Sequence, residues 1–114
     1  MATFQLQEMR NSVAVGTWIG LLNGEAGAAM SAPHLDDRTV TVKGTFGAGG
    51  TVLIEGSNDG GVSWQTLREA RGTGEALSFT AADTRLVLES PLLLRPRVAA
   101  GDGTTDITVI VKSS

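Results

Sequence analysis

From about residue 13 onward, hydrophobic and polar positions alternate with a period of two along most of the chain, the spacing of half-buried strands rather than of helices. The pattern is clearest over residues 38–46. There Val40, Val42 and Phe46 face one way, and Thr39, Thr41, Lys43 and Thr45 face the other. It resumes over 51–57 with Val52 and Ile54, over 62–67 with Val62 and Trp64, and over 106–112 with Ile107, Val109 and Val111. Residues 13–22 read as a strand kinked at Gly16, and 76–80 and 85–89 as two short ones. Residues 92–99 form a strand that is bent or at an edge, because Pro96 has no N–H to give to a ladder. The Gly-Ala-Gly-Gly at 47–50 predicts a hairpin joining its two neighbours. The Asn-Asp-Gly-Gly at 58–61 predicts a second turn, since Asp-Gly supplies the positive φ that tight turns demand.

These eight short strands between Gly-rich turns predict an all-β fold, an antiparallel β-sandwich or jelly roll. The expected core is Val40, Val42, Ile54, Trp64, Phe79, Val109 and Val111, with Trp18 also packed rather than displayed. Residues 1–12 alternate only weakly and are dominated by polar groups, so they read as an N-terminal arm ahead of a single domain at 13–114. Residues 23–37 are rich in Gly and Ala, contain Pro33, and are too long for a tight turn. They read as a loop with one helical turn around 27–30.

Composition narrows the chemistry. The 114 residues include 41% hydrophobic and 18% charged side chains, enough apolar content for one core and too much for a disordered chain. No apolar run approaches the length of a membrane-spanning helix or of a signal peptide, which predicts synthesis in a cytoplasmic compartment. A net charge of −3 argues against nucleic acid or an anionic membrane as the main partner. The absence of cysteine excludes disulfides, thiolate metal sites and a cysteine nucleophile, and a single histidine, His34, excludes a multi-histidine metal site within one chain.

Enzyme chemistry finds little to use. His34 lies between Pro33 and Leu35 in the loosest stretch, and no G-x-S-x-G elbow presents a serine to it. Asp36 and Asp37 are neighbours that point to opposite sides of an extended chain. The acidic turns at 58–61 and 102–106 imitate calcium loops but lack the distal bidentate glutamate, and hairpin-turn chemistry accounts for them. The expectation is therefore no catalysis, no metal and no cofactor. Two features suggest binding instead. Trp18 and Trp64 offer flat faces for a sugar if they are exposed. Arg95 and Arg97, two residues apart, point to the same side of a strand, where they either grip acidic groups on a partner or guard a sheet edge.

Six segments, in this order, resemble a family of small β-rich structural proteins of tailed bacteriophages and prophages. They are Arg-Thr-Val-Thr-Val-Lys-Gly-Thr-Phe-Gly-Ala-Gly-Gly (38–50), Val-Leu-Ile-Glu-Gly-Ser-Asn-Asp-Gly (52–60), Trp-Gln-Thr-Leu (64–67), Leu-Ser-Phe-Thr (77–80), Leu-Arg-Pro-Arg (94–97) and Gly-Asp-Gly-Thr-Thr-Asp-Ile-Thr-Val (101–109). The likeness spans roughly residues 13–112 and brings no catalytic residues with it. It implies a capsid decoration or cement protein on the virion exterior, bound to the major capsid protein. A homotrimer suits such a lattice, because linked weak contacts gain avidity. The expected capsid or oligomer interface comprises Phe4, Leu6, Met9 and Arg10 of the arm, His34 of the loop, and Arg95 and Arg97. The competing expectation is a tail-associated β-sandwich module that recognises host-surface glycans.

Overall fold

The computed structural model describes residues 3–9, 13–31 and 37–114, with the backbone alone at Glu8 and Met9. Among the described residues there is no helix. The described residues form nine strands in two antiparallel sheets. The first sheet has the order β1 (Thr3–Met9), β2 (Val13–Leu21), β9 (Asp106–Ser113), β3 (Arg38–Thr45), β7 (Asp83–Val87). Its inner face carries the period-two residues Ala14, Trp18, Val109, Val111, Val40 and Val42, all fully buried.

The second sheet is built around β4 (Thr51–Ser57). On one side β4 pairs with β8 (Leu93–Ala100). On the other it meets β5 (Gln65–Thr66) and β6 (Ser78–Phe79), set end to end. The far edge of β8 is covered by residues 24–30. Gly24, Gly27 and Met30 donate their amides to Val98, Pro96 and Leu94 at 3.1, 2.8 and 2.7 Å. Pro96 has no N–H to offer that segment, where the Ala28 carbonyl accepts from Trp18 Nε1 at 2.9 Å. Antiparallel pairs thus form between segments progressively nearer in sequence: β2 with β9, residues 24–30 with β8, β3 with β7, and β4 with β5.

The predicted core stands at Val40, Val42, Ile54, Phe79, Val109 and Val111, and Trp18 is buried with them. Trp64 is a correction. The strand that follows it is only the two residues of β5, Val62 is 86% exposed, and Trp64 is half-buried with its ring under Arg95.

Four further expectations change. Residues 3–9 are an edge strand paired along β2, because Phe4 stacks on Trp18 with ring centroids 4.6 Å apart and anchors them. The strands at 38–45 and 51–57 are not a hairpin but lie in opposite sheets, since period-two alternation is the same whichever strand lies alongside. The irregularity in β2 falls not at Gly16 but between Trp18 and Leu21, where Gly20 takes a φ of 81° that a side chain would resist. Residues 27–30 are extended against β8 rather than helical.

Candidate functional site

Alternation along β4 and β8 sends Glu55, Arg95 and Arg97 to the outer face of the second sheet, with Glu55 directly opposite Arg95. The Glu55 carboxylate is shared: Arg95 Nε donates to Oε1 and Arg97 Nε to Oε2, each at 3.0 Å. Its side chain is 7% exposed, whereas those of Arg95 and Arg97 are 24% and 41% exposed. A carboxylate this deep is costly unless paired, and here it is paired twice. The Arg95 guanidinium also lies over the Trp64 ring, 4.1 Å from its centroid, a cation–π contact that limits how far the arginine can swing.

Trp64 is aimed by the loop before it. Its Nε1 donates to the Gly61 carbonyl at 3.1 Å. Asp59 organises that loop, accepting from Ser57 Oγ at 2.7 Å, from the Ser63 amide at 3.0 Å and from Ser63 Oγ at 2.5 Å. These bonds, led by the Ser63 hydroxyl, hold the Asp59 carboxyl well below the usual carboxylate range. Next to the loop lies a hollow of about 440 Å³ lined by Ser57, Asn58, Asp59, Gln65, Glu89 and Pro91 among others. Across it, Asn58 Oδ1 accepts from the Leu92 amide at 2.9 Å.

The second acidic turn is at the opposite end of β8. Asp102 accepts from the Ala48 amide at 2.8 Å, and from Thr104 through its amide at 2.8 Å and its hydroxyl at 2.6 Å. The Ala48 amide is the largest of the causes that pull its pKa down to about 2. Thr105 Oγ1 donates to the Phe46 carbonyl at 2.8 Å, so this turn also pins the chain where it crosses from β3 to β4. Asp59 and Asp102 are therefore both engaged by amides and hydroxyls, Asp59 within its own loop and Asp102 partly on the 47–50 turn. Among the described residues no group of three or more His, Cys, Asp or Glu side chains is placed to hold a metal ion.

Of the residues expected at an interface, the described ones lie on both sheets. Phe4 faces the core edge of the first sheet, and Leu6, on the same strand opposite Gly16, is 44% exposed. The Met9 backbone pairs with Val13, but its side chain, like Arg10 and His34, lies outside the described residues. Arg95 and Arg97 do share one side of a strand, on the other sheet, around a carboxylate of their own chain. Glu55 and the half-buried Trp64 complete that cluster, and neither was legible as part of it. The available signal was a lone acid on an otherwise neutral strand face.

Compared with protein-family models, with curated proteins and with solved structures, the chain matches none.

Proposed function

We propose that the protein is a virion structural protein of a tailed bacteriophage: a capsid decoration protein that binds the major capsid protein lattice from outside and stabilises the head. The observation that carries this reading is the winding. The order β2-β9-β3-β7 in one sheet, with 24–30, β8, β4 and β5 in the other, supports a winding of the jelly-roll kind, an architecture used by viral capsid and lectin domains. The ordered likeness of residues 13–112 to small phage structural proteins then favours the capsid over the lectin. Trp18, fully buried, is removed from any sugar platform. On this reading the chain acts as a homotrimer that multiplies weak contacts with a repeating lattice.

A tail-associated module for host-surface glycans is the second reading, favoured by the hollow of about 440 Å³ next to the loop that aims Trp64. Sedimentation decides between them. Purified protein mixed with empty expanded heads should pellet with the heads and stay in solution with free coat subunits. Failure to pellet with heads, with binding to host cell-surface polysaccharide instead, establishes the second reading.

A further inference from the structure

We propose that the Arg95–Arg97 face of the second sheet is a docking surface for a carboxylate side chain, an aspartate or glutamate on the protein partner. The inference rests on the capsid-binding reading for the identity of that partner, but not for the chemistry of the site.

Three observations lead to it. First, the charges on this face do not cancel. Glu55 supplies one negative charge and the two arginines supply two positive ones, in a chain whose net charge is −3. The strand neighbours on the same side of the sheet are Leu53, Ser57, Thr66, Ser78 and Leu93, all neutral, and the Asp59 carboxylate beyond the end of β4 is engaged by Ser57 and Ser63. Within the cluster of Glu55, Arg95 and Arg97 one positive charge is left over. Second, each arginine gives Glu55 its Nε, while its Nη groups make no hydrogen bond to any described residue. A guanidinium has five N–H donors, and the Nη pairs of two such groups are suited to hold both oxygens of one carboxylate. Third, the donors are held in advance. Glu55 draws both heads together, and Trp64 stacks under Arg95, so much of the side-chain entropy normally lost on binding is already lost.

Charge selects the ligand. A monoanionic carboxylate matches the surplus of one, whereas a dianionic phosphate would bring a second negative charge towards the buried Glu55. The exposure gradient fits the same geometry. Glu55 at 7% is the floor, Arg95 at 24% is braced by the indole, and Arg97 at 41% is the group a partner meets first.

The test has two arms and uses the whole chain. In the first, wild type, Arg97→Gln and Lys43→Gln are each sedimented with expanded heads. Lys43 is exposed on β3 of the other sheet, so its substitution removes the same charge from a different face. Arg97→Gln should weaken head binding about tenfold, the equivalent of one charge-assisted contact, while Lys43→Gln stays within about twofold of wild type. Thermal melts of the variants confirm that the fold is retained. In the second arm, the Arg95 and Arg97 Nε–Hε resonances are followed by NMR during titration with an acetylated tetraglutamate peptide, a tetraglutamine peptide, or oligogalacturonate. The resonances should move with tetraglutamate and not with tetraglutamine, and Trp64 fluorescence should change in parallel.

Heads bound equally well by Arg97→Gln, with arginine resonances indifferent to tetraglutamate, overturn the docking surface and leave the capsid reading standing. Resonances that respond to tetraglutamate in a protein that ignores heads keep the carboxylate site and remove the capsid. A response to oligogalacturonate at lower concentration than to the peptide assigns the site to an acidic glycan and overturns the proposal.

Discussion

The two sheets of this molecule hold their shape by different means. In the first, backbone ladders are long. β3 and β9 pair without interruption from Arg38 opposite Ser113 to Thr45 opposite Asp106, and the buried face is aliphatic and aromatic apart from Arg38 and Ser113 at one end. In the second, β4 pairs with β8 along its whole length, but on its other side it is flanked by two strands of two residues each, and there side chains supply much of the order. Glu55 ties β4 to β8, Asp59 folds the loop beyond β4, and Asn58 reaches the Leu92 amide. On the β5 and β6 side of β4 each ladder covers only two residues. Polar side chains take over there, and a side-chain-built surface can be specific in a way that a continuous ladder cannot.

If the first sheet carries most of the stability, its centre should be the least tolerant of truncation. Trp18→Ala removes a fully buried indole, its stack on Phe4 and its hydrogen bond to the Ala28 carbonyl. It should cost about 3–5 kcal/mol, read as a shift in the urea midpoint at constant slope. Next comes the seam between the sheets. A Cβ on Gly27 would lie 2.5 Å from Trp18 Cδ1 and 2.9 Å from Pro96 Cγ, so Gly27→Ala should cost about 1–3 kcal/mol by overpacking. Within the second sheet, Glu55→Gln should cost less, about 1–2 kcal/mol, because both arginines it would leave behind reach solvent. A Glu55→Gln loss as large as that of Trp18→Ala would reverse the ranking of the two sheets.

The same contrast governs how much could be read from the sequence. Val40, Val42, Val109 and Val111 were legible because alternation alone decides which side a strand residue takes. What alternation does not carry is which strand lies alongside, and so β3 and β4 looked like a hairpin when they belong to different sheets. The N-terminal strand looked like an arm because an edge strand is half solvated and needs only Phe4 to hold it. At the candidate site, the shared side of Arg95 and Arg97 followed from their spacing. Glu55 did not, since its pairing with residues some forty positions away exists only once the register is set. Trp64 was misplaced because Asp59, through bonds confined to residues 57–63, lengthens the turn and shortens the strand that was expected to bury it.

The smallest effect should separate the two acidic turns. Asp59 bonds only within its own loop, whereas Asp102 reaches Ala48 on another. Both carboxyls are depressed below the ordinary value of 3.8 in the folded chain. The stability they add is therefore complete above that value and is lost as pH falls, for Asp102 through about 2. Acid titration of the melting temperature should show a decline over this window that Asp102→Asn flattens. Asp59→Asn should act on the same window but chiefly on local amide exchange around Gly61 and Ser63. Equal effects of the two on global melting would show that the long-range tie adds nothing.

The central place of β9 in the first sheet bears on how the chain comes to be folded as it is made. β9 lies between β2 and β3, whose residues are synthesised far earlier. Until β9 exists, the first sheet is two separate pieces, β1 with β2 and β3 with β7, each with an open edge. Closing them brings together residues such as Ala14 and Ser113, nearly the whole chain apart, and contacts of that range form slowly. During that interval both edges can accept a strand from another copy of the same chain, so high-level synthesis should favour strand exchange between nascent molecules.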